Sequence, residues 1–176
     1  MAVLKIVTLP HPVLKEKTKP VTAFNDAKLN QLISDMAETM YDAPGVGLAA
    51  NQVGISLSLA VIDVEWKEPL EKKHTKTAPK SYKIFINPEV LEKSGPIEFE
   101  EGCLSLPAVT GVTKRYNQVT VKYQDPSGKS HTLKAEGILA VALQHETDHL
   151  NGKLYIDHLG PLKRDLVLKR YKKTRR

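Results

Sequence analysis

The chain has 176 residues and a single cysteine, Cys103, so no disulfide can form within it. One lone thiol fits a reducing compartment, and the expected location is the cytoplasm. No apolar run reaches membrane-spanning length. The opening Met1-Ala2-Val3-Leu4-Lys5-Ile6-Val7 meets Pro10 and Pro12 too early for a secretory leader, so neither leader nor membrane is expected. Internal repeats are missing. Basic charge is missing from most of the chain: residues 1–160 hold 18 Lys+Arg against 19 Asp+Glu, while residues 161–176 hold eight against Asp165 alone. That distribution excludes a sequence-specific nucleic-acid-binding body and points to a near-neutral domain, residues 1–160, carrying a basic extension, 161–176. Hydrophobic content of 41% and charged content of 26% place the body among ordinary globular domains.

Along that body, Pro10, Pro12 and Pro20 predict an extended lead-in. Asn25 is the expected N-cap of an amphipathic helix, with Leu29, Leu32, Ile33, Met36 and Met40 at helical spacing as far as about Tyr41. Pro44 and Gly45 stop it. Leu57–Val64 reads as a buried strand, and the charged, Pro-punctuated stretch 65–82 as an exposed, mobile loop. Lys83–Asn87 predicts a short strand ended by Pro88, and Ile97–Glu100 another. Val119, Val121 and Tyr123 alternate, Asp125-Pro126-Ser127-Gly128 turns, and 130–135 returns as a hairpin. A last helix is expected from about Pro161, with Leu159, Leu162 and Leu166 on one face. The element order predicts an α+β fold, with short mixed or antiparallel sheets wrapped round one central helix.

That helix is the stretch Ile138–Leu150, free of Gly and Pro and apolar on every side through its first half, hence buried. It carries His145-Glu146-Thr147-Asp148-His149, an HExxH pattern. Two histidines at helical spacing are often plain surface or core residues. Here they sit with two carboxylates in a buried segment, where a metal ion is the strongest available compensation. His145 and His149 project from one face, and Glu146 lies about 100° round the helix from His145.

A catalytic site of this kind takes three protein ligands and leaves a position for water. One HExxH class needs a histidine six residues past the second, where this chain has Tyr155. Another needs a downstream Glu, and none follows His149. Both peptidase solutions fail. Cys103, within Glu101-Gly102-Cys103-Leu104-Ser105, is the preferred third ligand, with His158 as the rival. A lone Cys is otherwise a small buried hydrophobe.

Three blocks now stand in order: Gly45-Val46-Gly47-Leu48-Ala49-Ala50-Asn51-Gln52, Glu101–Ser105, and Gln144–Gly152. Together they resemble the peptide deformylases, from about Ile6 into the tail. The resemblance implies an α+β fold round the HExxH helix, and hydrolysis of the formyl group from the N-terminal methionine of nascent polypeptides. It implies Cys103, His145 and His149 as ligands of one divalent ion, iron(II) natively, with zinc, nickel or cobalt as alternatives that a thiolate and two imidazoles also suit. Glu146 is implied as the proton carrier, and the Gln52 amide and the Leu104 N–H as oxyanion donors. Gly47 and Val46 are placed beside the substrate by the same likeness. Ile138, Val141 and Ala142 share the face of His145 at i−7, i−4 and i−3, and would line a groove for an unbranched side chain. Glu101, Asp148 and Arg115 are candidates to orient the ligands. The chain departs from many relatives in having Thr110 seven residues after the cysteine, where they carry Arg.

The tail Pro161–Arg176 resembles the extension that bacterial deformylases dock on the ribosome, and a cationic helix suits polyphosphate. Two rival classes are an HExxH endopeptidase and a basic RNA-binding module with a structural metal, which would need a fourth protein ligand.

Overall fold

The computed structural model describes residues 2–66 and 80–175. Its elements in chain order are α1 (Ala27–Asp42), β1 (Gly47–Ala49), β2 (Leu59–Ile62), β3 (Lys83–Cys103), β4 (Leu106–Gln124), β5 (Ser130–Glu136), α2 (Gly137–Leu150) and α3 (Pro161–Thr174). The strands form one sheet in sequence order, β1-β2-β3-β4-β5, every neighbouring pair antiparallel. The class is α+β, and of the mixed or antiparallel arrangements expected it is the antiparallel one that is present, but as a single sheet with two long members where short strands were expected.

β3 runs through the two segments that the sequence separates. Pro88 was expected to end the first because it lacks an N–H for the ladder. It is accommodated because the register of β3 against β4 shifts between Ile86 and Glu89, placing Pro88 at an irregularity. Asn87 stabilises the break: at φ +51°, its amide donates to Val21 O and Gln124 Oε1 at 2.8 Å each, and its oxygen accepts from Val21 N at 2.9 Å. The hairpin over 119–135 pairs as the alternation requires, Val119 facing Ala135 and Val121 facing Leu133.

α1 starts one residue later than expected. Asp26 is the cap, accepting from Lys28 N at 3.1 Å, while Asn25 sits at φ +55° outside the helix. The buried stripe of α1, Leu29, Ile33, Met36 and Met40, packs on Leu48, Leu59, Val61 and Ile86. α2 lies on the sheet further along, its Ala140, Ala142 and Leu143 against Ile62, Phe85, Val119 and Ala135. Gly152 follows α2 at φ +71°, where an added Cβ would stand 2.6 Å from Lys15 O, so the chain turns there on a residue without a side chain.

Of the stretch 65–82, residues 67–79 lie outside the described residues. Its ends are not free of the core. Trp66 and Tyr82 pack on Tyr41, with ring centroids 5.2 and 6.5 Å away, and buried Asp63 accepts from Tyr41 Oη, Ser81 N, Glu65 N and Trp66 N.

α3 presents a different face from the one expected. Leu162 is 74% exposed and Leu166 47%, while Val167 and Tyr171 are buried against Leu106, Val109, Tyr155 and Leu159. Tyr171 Oη also donates to Leu9 O at 2.9 Å. The stripe is one residue out because Gly160 is extended (φ −63°, ψ 156°) and the helix begins only after it, so Leu159 is not in phase with α3. Tyr171→Ala should therefore cost about 3 kcal/mol, a fall in Tm of roughly 6–12 °C, and Leu162→Ala less than about 0.5 kcal/mol. Thermal melts of the two variants check the face; equal shifts would contradict the packing.

Candidate active site

The β3–β4 hairpin turns on two residues, Leu104 and Ser105, so that Cys103 faces Leu106 at its tip. The tip lies over the last turns of α2. Cys103 Sγ stands 3.2 Å from His149 Nε2, which stands 3.2 Å from His145 Nε2, and the three candidate ligand atoms all lie within 4.8 Å of one another. Three soft or borderline donors converging from a buried helix and a hairpin tip suit one divalent cation. His158, the rival ligand, is elsewhere: its Nε2 lies 2.7 Å from Asp148 Oδ2.

The other ring nitrogen of His145 is held. Nδ1 lies 2.7 Å from Glu101 Oε2, so the proton belongs there and Nε2 is left with its lone pair toward the cluster. Glu101 is gripped in turn by the Arg115 fork, Nε at 2.7 Å and Nη2 at 3.1 Å, and by the Thr113 hydroxyl. The third guanidinium nitrogen, Nη1, reaches Asp148 Oδ2 at 2.6 Å. Glu101, Asp148 and Arg115, three residues whose pairing the sequence left open, thus form one network between the hairpin and α2.

Electrostatics follow from that crowding. Burial pushes the Cys103 thiol up, but His149 and His145 outweigh it and bring it to about 5, which favours the thiolate. Burial would depress His145, yet Cys103 and Glu101 raise it. Burial raises Glu146, and the two imidazoles only partly oppose this. Its Oε2 is buried without a partner. A carboxyl in that state is suited to holding a proton and giving it up again.

The pocket on the open side of the cluster is a cleft of about 620 Å³. Its lining includes Val46, Gly47, Gln52, Cys103, Leu104, Ile138, Val141, Ala142, His145 and Glu146. Buried His149 stands behind them. Every site residue expected from the sequence is thus at the cleft or directly beneath it. Ile138 and Val46, both about half exposed, form the rim, while Val141 and Ala142 lie deeper. Gly47 has a reason the sequence did not disclose: an added Cβ would overlap the Glu146 carboxylate. Gln52 is locked in one orientation. Its Oε1 accepts from Ala49 N at 2.9 Å, turning Nε2 toward Cys103 Sγ at 3.5 Å and Ser105 Oγ at 3.2 Å.

Three supporting residues escaped sequence reasoning. Asn51 donates to His149 O at 2.6 Å, Ser105 meets Gln52, and Thr113 meets Glu101. Asn51 and Ser105 lie inside the motifs that drew attention to their neighbours, whereas nothing in the sequence marks Thr113.

A largely enclosed cluster of thiol, two imidazoles and a carboxyl, opening on an apolar cleft of an antiparallel α+β fold, has the make-up of a metal-dependent hydrolase. The comparisons narrow this. The family described as Polypeptide deformylase matches residues 3–165. A peptide deformylase of Desulfotalea psychrophila is 48% identical over 98% of this chain and 97% of its own. One of Agrobacterium fabrum is 45% identical over 100% and 98%. Among solved structures, a peptide deformylase from Legionella pneumophila superposes with a TM-score of 0.86 at 45% identity, covering 99% of this chain and 96% of that one. One from Ehrlichia chaffeensis in complex with actinonin gives 0.85 at 36% identity, covering 100% and 99%. The chain belongs to the peptide deformylase family, and it is a hydrolase that removes the N-formyl group from nascent chains.

The Glu101–Arg115 pair gives a test with a sign. Burial raises Glu101, but His145 and Arg115 hold it at about 2, below its ordinary 4.5. A depressed carboxyl contributes stability above its unfolded pKa and loses it as pH falls from 4.5 toward 2. Arg115→Leu strands the buried Glu101 carboxylate and the part-buried Asp148 carboxylate, and should cost about 3–5 kcal/mol at neutral pH. Its stability should then fall less steeply over that acid window. Denaturant titrations from pH 7 to 2 measure both, and parallel curves would refute the pairing.

Proposed function

We propose that the cleft deformylates N-formylmethionyl chains with Cys103, His145 and His149 holding one divalent ion, iron(II) in the cell. The observation that carries this reading is the convergence of Sγ and two Nε2 atoms beside a buried, partner-free Glu146 oxygen. When bound, the ion supplies Lewis acidity, polarising a carbonyl oxygen and lowering the pKa of water. A thiolate and two imidazoles equally suit zinc, nickel or cobalt.

The chain's own residues do the rest. Glu146 takes a proton from the attacking water at its carboxylate and returns it to the leaving amine. The Gln52 Nε2–H and the Leu104 backbone N–H donate to the oxygen that gains charge. Each such donor is worth about 3–4 kcal/mol, or ~10²–10³ in rate. Val141, Ala142 and Ile138 receive the methionine side chain, its unbranched stem matching a narrow apolar wall. β1 is the edge strand of the sheet beside the cleft, so its backbone can pair with an extended peptide. Gly47 keeps Glu146 within reach of that peptide, and Val46 covers it from the rim.

Residues 1–160 form the catalytic unit, and the basic extension 161–176, which carries α3, serves as a contact to the ribosome in the cytoplasm. No described helix is long and apolar enough to cross a membrane. An endopeptidase reading has no structural support beyond HExxH itself, and a structural metal would need a fourth ligand that His158 does not provide.

Two measurements test these assignments. Glu146→Ala should retain the ion, read by metal analysis, while formate release from a formyl-Met peptide falls by ~10²–10⁴. Full activity would remove Glu146 from the reaction. For the tail, truncation would open the packing of Val167 and Tyr171, so charge reversal of exposed Lys163, Lys169, Lys172 and Lys173 is the cleaner variant. It should leave Tm and formyl-peptide hydrolysis unchanged while weakening ribosome binding several-fold, with a shallower salt dependence. Unaltered affinity would reject the contact.

A further inference from the structure

We propose that His158 is a positioning residue for the metal cluster, acting on His145 through Asp148, Arg115 and Glu101. The inference rests on the metal reading above. His158 ends the one-turn 3₁₀ helix Tyr155–His158, which follows the turn at Gly152 (φ +71°) after α2. Its Nε2 lies 2.7 Å from Asp148 Oδ2 and 3.4 Å from Arg115 Nη1. The carboxylate oxygen can only accept and the guanidinium can only donate, so Nε2 carries its hydrogen toward Asp148.

Each link then has one direction. Asp148 Oδ2 accepts from both His158 and Arg115 Nη1; Arg115 donates its remaining fork to Glu101; Glu101 Oε2 accepts from His145 Nδ1 at 2.7 Å. The inner members are almost fully enclosed, with side chains of Arg115 and Glu101 only 4% and 3% exposed, whereas that of His158 is 32% exposed. The network holds two carboxylates and one guanidinium. Arg115 therefore cannot neutralise both acids, and the N–H of His158 takes up part of the excess at Asp148. Without it, Asp148 draws Arg115 toward α2 and the grip on Glu101 slackens. Glu101 is what fixes the ring of His145, so the loss arrives at Nε2.

The test uses the full-length chain loaded with cobalt(II), whose visible spectrum reports the geometry of its ligands. His158→Leu removes the donor, His158→Asn is too short to reach Asp148, and His158→Gln restores a donor at similar reach. A partner in direct contact with a ligand changes metal affinity by ~10–100-fold, so a group two links further out should have a smaller effect. Chelator should strip cobalt from the Leu and Asn variants roughly threefold to tenfold faster than from wild type, with a shifted spectrum. The Gln variant should behave as wild type, and KM for a formyl peptide should not move in any of the three. Wild-type release rates in the Leu and Asn variants, at equal Tm, would overturn the proposal. So would a Gln variant as leaky as Leu, which would point to packing instead of hydrogen bonding. Wild-type chain that takes up no cobalt would defeat the metal reading first, and this inference with it.

Discussion

The structure depends on a charge that is held out of water. Glu101 and Arg115 sit across the same hairpin, nearly inaccessible, and each would be costly alone. Their pairing is favourable because nearly every donor and acceptor is used: Thr113 and His145 complete the carboxylate, and Asp148 completes the guanidinium. Asp148 belongs to α2, so the same interaction that settles the hairpin also fixes its angle over the helix. Cys103, two residues after Glu101, is thereby carried to the two imidazoles. The cluster is assembled by a buried ion pair, not by the candidate ligands themselves.

This explains why the site is so closely packed on one side and open on the other. Asn51 anchors the carbonyl of His149 from below, and Gln52, its neighbour, turns its amide to the sulfur from above. One short 3₁₀ turn, Ala50–Val53, thus serves a candidate ligand and the cleft with consecutive side chains. Gly47 stands opposite, and the absence of a side chain there is what makes room for the Glu146 carboxylate. The cleft is lined on its remaining walls by apolar groups, which keeps Glu146 from water and raises its affinity for a proton.

Much of this was legible because local chemistry and global position agree. HExxH following a half-helix apolar on every side points to an interior site, and the i−3, i−4 and i−7 positions share the face of its first histidine. The hairpin over 119–135 was legible for the same reason, since alternation and turn residues point the same way. What escaped was set by tertiary context. Pro88 reads as a terminator, yet a register shift and the Asn87 side chain let the strand continue past it. Leu162 and Leu166 look like a core stripe continuing from Leu159, but extended Gly160 separates Leu159 from the helix, and Val167 and Tyr171 are buried instead. Thr113 is unremarkable in sequence because its importance lies wholly in the carboxylate across the hairpin.

Thr110 is the remaining departure, and the structure gives it a consistent place. Its hydroxyl donates to Glu100 Oε1 at 2.8 Å, so the position is occupied by a neutral pair-former and no cation. Among the described residues that line the cleft there is neither Lys nor Arg. A clamp for a free carboxylate is therefore not part of the described cleft lining, and under the proposed reading recognition of the peptide falls to its backbone, along the edge of β1, and to the first side chain. Such a division suits a substrate that is still being made. A nascent chain offers its formylated end and an extended backbone, while its other end remains on the ribosome and has no free carboxylate to bind.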